Sequence, residues 1–165
     1  MQFVRLFPIT LMLIVLLSPL LRAEEPPADT EQERSVQRIW LNAGFLSYHP
    51  DRSRGFREQN WGFGAQLDLD DEWALMGGQF LNSENQHSHY LAAAWQPLKL
   101  GSFDLGLAVG AMDGYPRMSD GDWFLAALPL LSWRGDHLAV NVTGTPKIRD
   151  KIDAMIAIQL MWRVW

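Results

Sequence analysis

The sequence predicts an all-β protein, an eight-stranded antiparallel transmembrane β-barrel of the outer-membrane type. Three observations predict it: apolar residues recur with a period of two, the connections between those segments alternate in length, and most segments carry a tryptophan at or near one end. Side chains of a strand point alternately to its two faces, so strict alternation marks a strand with one apolar and one polar face.

The chain opens with Arg5, an apolar run over residues 6–21 and the small residue Ala23. That order reads as a secretory signal peptide spanning residues 1–23. Residues 24–38, EEPPADTEQERSVQR, are polar and contain prolines, as expected of a periplasmic tether leading into the first strand. Losing the leader removes Arg5 and Arg22 and leaves 12 basic against 19 acidic residues, a net charge of about −7. Such a balance speaks against nucleic acid as a partner. There is no cysteine, which excludes disulfides, thiol nucleophiles and thiolate metal sites. After the leader no apolar run approaches the roughly 20 residues of a membrane helix, so the mature chain is either soluble or a barrel.

The barrel is expected over residues 39–165. Trp61, Phe63, Ala65, Leu67 and Leu69 alternate with Gly62, Gly64, Gln66, Asp68 and Asp70, and Phe103, Leu105, Leu107, Val109 and Ala111 alternate with Asp104, Gly106, Ala108, Gly110 and Met112. Segments of this type place strands near 39–48, 61–69, 73–81, 89–96, 103–112, 123–133, 137–144 and 152–165. Short turns at 70–72, 97–102 and 134–136 alternate with longer or more polar loops starting at His49, Asn82, Asp113 and Thr145, the outer-membrane pattern. A soluble barrel points its apolar face at a core, whereas a membrane barrel turns it to lipid. The second face here carries Gly, Ala, Gln, Asp and Asn, and Trp61, Trp73, Trp95, Trp123, Trp133 and Trp162 stand near strand ends, as aromatic girdles do. The location implied is the outer membrane of a Gram-negative bacterium. Trp165 is out of phase with the last strand, which calls for a bulge near Arg163 or an inward final residue.

An eight-stranded lumen holds packed side chains or one slim ligand, which argues against a transport pore. Small inward residues, Ala92, Ala94, Gly106, Ala108 and Gly110, leave a slot suited to an acyl chain. Polar groups collect at the loop ends: His49 after the first strand, and Asn82, Ser83, His87, Ser88 and His89 around the second loop. A His facing a Ser there makes an activated nucleophile or a proton relay, while solvated loops are rich in these residues without any chemistry. His87 and His89 have strand-neighbour spacing but no third ligand, so no metal is expected. His137 belongs to the opposite, turn end.

The strings NWGFGAQLDL, LGLAVGA, DWFLAALPLLSW and VNVTGTP, in that order and spacing, resemble the PagP family of outer-membrane lipid A palmitoyltransferases over most of residues 39–165. The resemblance implies an acyltransferase that needs no cofactor, a phospholipid acyl donor, a lipid A acceptor, the outer-membrane bilayer as its surroundings, and a monomer. It places a catalytic His at the outer end of strand one, for which His49 is the candidate, and a catalytic pair at the outer end of strand three, where Asn82 and Ser83 stand. Asn82 replaces the family's acid and is assigned a hydrogen bond to the oxyanion. The Gly that sets acyl length aligns near Tyr90, a bulkier residue that would shorten the slot formed with Ala92, Gly106 and Gly110. Pro129 and Pro146 match strand prolines linked to sideways lipid passage. Two other readings stay open: a non-catalytic barrel whose loops bind surface molecules, and a lipid A deacylase using water with the same Ser and His.

Overall fold

Eight antiparallel strands close into a single barrel in the computed structural model, which describes residues 37–148 and 152–165. The expected signal peptide, and the tether up to residue 36, lie outside the described residues. The strands are β1 (Arg38–Tyr48), β2 (Gln59–Asp68), β3 (Trp73–Leu81), β4 (His87–Leu100), β5 (Phe103–Met112), β6 (Phe124–Arg134), β7 (Leu138–Thr145) and β8 (Met155–Arg163). Each pairs with the next, and β8 closes on β1.

The barrel is apolar outside, and its interior carries a set of buried polar side chains. Gln66, Asp68, Asn82, Ser88, Gln96, Ser132, Asn141 and Gln159 are buried, whereas Trp61, Phe63, Leu91, Leu125, Leu160 and Trp162 are exposed. Exposed single apolar residues are ordinary; buried carboxylates and amides beneath a continuous apolar exterior are not. Near the turn end the outer surface carries Trp133 and Trp162, together with Trp73 stacked on Trp95 at 5.9 Å.

Two strand ends differ from expectation. Pro97, read as opening a turn, lies inside β4, and only Gly101 and Ser102 separate β4 from β5. The β4–β5 register shifts between Trp95 and Leu98, so the proline sits in an irregularity where the ladder asks no N–H of it. At the other end, Val164 and Trp165 both direct their N–H at the carbonyl of Ile39, at 2.8 and 3.4 Å. Two residues thus oppose one, and Trp165 ends 78% exposed, which resolves its phase as a bulge beside Arg163 with the last residue outward.

The lumen has two storeys. At the turn end Asp68, 1% exposed, accepts hydrogen bonds from Trp40 Nε1 at 2.8 Å and Gln66 Nε2 at 2.8 Å. The Arg134 Nε lies 3.3 Å from its carboxylate, as an ion contact outside hydrogen-bond alignment. Arg134 also donates to Asp104 at 2.7 Å and to Gln96 at 2.8 Å. From Gln96 the network runs through Ser132 and Asn141 to Gln66 and Gln159. This plug fills the turn-end half, and the loop-end half is open.

Removing one partner of a buried charge cluster leaves the others uncompensated, at a cost of about 3–5 kcal/mol. Arg134→Ala is therefore expected to lower the unfolding free energy by about that amount, read from the urea midpoint at constant slope. An unshifted midpoint would show that the plug does not hold the barrel together.

Candidate functional site

What turns His49 inward is a glycine. Trp40 and Asn42 face the lumen on even positions, and Phe45, Ser47 and His49 face it on odd ones. The phase changes at a bulge, where the β1–β2 register shifts between Asn42 and Gly44. Gly44 has φ +104°, and a Cβ there would fall 2.1 Å from the Asn60 carbonyl oxygen. Any other residue would meet both strain and a backbone clash.

His49 is 7% exposed, and neither ring nitrogen has a hydrogen-bond partner among the described residues. Its ring lies 4.6 Å from that of Phe56. Burial lowers its pKa below the ordinary 6.5, against the opposing charges of Glu58 and Asp153. At neutral pH the imidazole is uncharged and carries a free lone pair, the form a general base needs.

Ser83 follows Asn82 at the end of β3, in the loop that leads to β4. Its carbonyl accepts the N–H of Arg57 at 2.9 Å, which ties the first loop to this one. Asn82 is fully buried and fully used. Its amide nitrogen donates to Ser88 Oγ at 2.9 Å and to the Gly114 carbonyl at 2.6 Å, and its oxygen accepts from the N–H groups of Glu84 and Gln86. With both donors committed it has none for an oxyanion; its work is to fix the turn that carries Ser83 and to hold the β5–β6 loop against it.

His49 and Ser83 line the same cavity, about 410 Å³, within the size range of small-molecule sites. One side of the lumen is filled by Phe45, Phe80 and Tyr90, whose rings pack edge to face at 5.0 to 5.9 Å. Tyr90 reaches across: its hydroxyl accepts from Asn42 and Gln159 at 3.5 Å, and a Cβ at Gly64 would strike it at 2.4 Å. The cavity follows the other side, past Ala92, Ala108, Gly110 and Ala126, and ends near Met76 and Leu130. Gly106 faces the plug instead, where a Cβ would meet the backbone of Trp95 and Gln96.

Among the described residues the ladder between β6 and β7 is incomplete. Pairing of β6 with β7 covers Leu130–Thr143 to Arg134–Ala139 and no more. Residues 124–129 of β6 have β5 on one side and, among the described residues, no strand on the other. Pro129 brings no N–H, and its carbonyl takes the Thr143 hydroxyl at 2.8 Å. Both faces of β6 therefore border the cavity: Ala126 and Leu128 from inside, Leu125, Ala127 and Pro129 from outside, with Pro146 opposite.

The other histidines lie elsewhere. His89 is exposed and bonded through Nδ1 to Asp113 at 3.0 Å, and His137 stacks on Trp162 at the turn end. No group of three or more metal-ligating side chains occurs among the described residues. Sequence reasoning missed Phe56, Tyr115 and Arg117, all on loops, where no periodicity marks a facing direction. Tyr115 packs against Phe124 at 6.0 Å. Burial and the charge of Glu84 raise its pKa, with Ser83 beside it pulling the other way, so it stays a neutral phenol.

Two outcomes are expected. A pH titration of the His49 ring followed by NMR should give a midpoint below 6.5. Because the folded value is the lower one, the resulting stability is present above 6.5 and is lost as pH falls through the folded value. A midpoint at or above 6.5 would contradict the burial argument. Second, Asn82→Asp replaces two donors by acceptors facing the Gly114 carbonyl, so it should destabilise by about 1–3 kcal/mol in urea unfolding; equal stability would mean the amide is not the tie between the loops.

No protein-family model and no curated protein matches the chain, so its chemistry rests on the geometry above.

Proposed function

We propose that the chain is an outer-membrane acyltransferase that moves a fatty acyl chain, of the palmitoyl class, from a phospholipid to lipid A. The observation that carries the reading is a buried, unpartnered, uncharged imidazole at the mouth of an apolar cavity that opens sideways through the barrel wall. A lateral opening suits a ligand that arrives within a bilayer rather than from water. The apolar exterior and tryptophan-bearing strand ends support a membrane setting, and closure of the barrel pairs each strand with two neighbours as a bilayer requires.

In this reading an acyl chain lies along Ala92, Ala108, Gly110 and Ala126 with its ester at the mouth. His49 takes the proton of an acceptor hydroxyl as its oxygen attacks the ester carbonyl. Ser83 donates a hydrogen bond to the oxyanion of the tetrahedral intermediate. The bond to the donor's glycerol oxygen then breaks, and His49 returns the proton to that oxygen. Phospholipid and lipid A become lysophospholipid and acylated lipid A, and His49 ends as it began.

A second reading, a non-catalytic binding barrel, is favoured by one observation: among the described residues no carboxylate or carbonyl is bonded to His49 to orient it, unlike the usual base in a relay. Mass analysis of lipid A separates the readings by one acyl chain gained, none changed, or, for a deacylase, one lost.

The membrane setting predicts that the mature chain folds only in detergent or bilayer and migrates differently on gels when unheated; a water-soluble monomer would overturn it. The chemistry predicts that His49→Ala and Ser83→Ala each reduce acyl transfer by about 10²- to 10⁴-fold with heat-modifiable migration intact, whereas His137→Ala stays near normal. Full activity in His49→Ala with loss in His89→Ala would move the base to the second loop.

A further inference from the structure

We propose that Arg117 binds the phosphate of the acyl donor and makes the site select a phosphate-bearing lipid over a neutral glycerolipid. The inference rests on the acyl-donor reading above and adds the residue that recognises the donor's phosphate. Arg117 lies in the β5–β6 loop, on the short helix Pro116–Ser119. Its guanidinium carbon stands 5.2 Å over the ring of Phe56, whose neighbour at 4.6 Å is His49. Arginine, aromatic ring and base thus form one contiguous edge of the cavity mouth, and all three line the cavity.

Among the described residues lining the cavity, Arg117 is the one Lys or Arg. Arg52 pairs with Glu58, Arg54 with Asp153 at 3.7 Å, and Arg57 donates to Asn85. Arg117 has no carboxylate partner among the described residues. Of the carboxylates lining the cavity, Asp153 is held by Arg54, and Glu84 stands near Tyr115 without a cation of its own. An anion entering the cavity gains most beside the Arg117 guanidinium, which offers a planar fork of donors fitted to phosphate oxygens.

Topology supplies the second argument. The loop that carries Arg117 runs directly into the stretch of β6 that lacks a β7 neighbour, and Tyr115 of that loop packs on Phe124 at its start. A lipid whose chain passes through the opening beside Pro129 brings its headgroup to this loop. The loop is anchored from behind: Asn82 holds the Gly114 carbonyl, Ser88 donates to the Asp113 carbonyl at 2.7 Å, and His89 bonds the Asp113 side chain. Arg117 is therefore presented by a fixed segment.

The test uses the full-length mature protein in detergent micelles with lipid A as acceptor and two donors of identical chains, phosphatidylglycerol and diacylglycerol. Wild type should prefer phosphatidylglycerol. Arg117→Gln should lower kcat/KM for phosphatidylglycerol by about 10- to 100-fold, the scale of a lost hydrogen bond to a charged group, chiefly through KM, and leave diacylglycerol unchanged. Arg117→Lys should recover part of the preference. An equal loss on both donors would show that Arg117 only packs on Phe56 and would overturn the proposal, as would no loss on either. Transfer by wild type from neither donor would overturn the acyl-transfer reading along with this one.

Discussion

Asp68 places a carboxylate at the turn end of the lumen, 1% exposed, and the polar interior is arranged around it. A carboxylate in such a place costs several kcal/mol unless it is paired and hydrogen-bonded. Here Trp40, Gln66, Arg38 and Arg134 gather on it, and their own remaining donors and acceptors recruit Asp104, Gln96, Ser132 and Asn141 in turn. The result is a rigid polar plug confined to the turn end. Because the polar side chains are concentrated there, the loop-end half of the same strands can carry alanine and glycine without the barrel collapsing on itself.

Emptiness in the upper half is directed, not diffuse. The Phe45, Phe80 and Tyr90 rings fill the β1–β4 side, so vacant volume is pushed to the β5–β8 side, where the wall is also incomplete. The space, its opening and the imidazole above it are three consequences of how a narrow barrel distributes large and small residues. Low polarity around His49 acts twice: it keeps the ring uncharged, and it strengthens whatever charge develops beside it during a reaction.

Most of the fold was legible because a period of two survives in nearly every strand and because turns and loops differ in length. What misled were residues whose usual meaning is local. Pro97 ordinarily punctuates a turn, yet a β4 irregularity absorbed it. Trp165 broke the alternation, and only the shared carbonyl of Ile39 shows that the backbone, not the side chain, changes course. At the site, His49 and Ser83 stand out by residue type and position. The inward direction of His49 was hidden, since reading β1 as regular puts its odd positions, Ile39 and Leu41, on the outer face. The signal was there in the shift of the outward apolar residues from Leu41 to Leu46 and Tyr48. Phe56, Tyr115 and Arg117 sit on loops whose facing is set by tertiary contacts such as Asn82 to Gly114, and no local pattern encodes those.

The bulge at Gly44 also bears on how such barrels diverge. The inward turn of the later odd positions depends on the left-handed φ of Gly44 at the register shift, so a substitution that replaced the bulge by regular alternation over the same number of residues would reset the strand. Leu46 and Tyr48 would then turn into the lumen, and Phe45, Ser47 and His49 would turn out of it. Such a descendant would keep every side chain of the site in its sequence and have no site. Between relatives of this chain, a glycine in the place of Gly44 is therefore a better marker of an inward-facing imidazole than identity at His49 and Ser83.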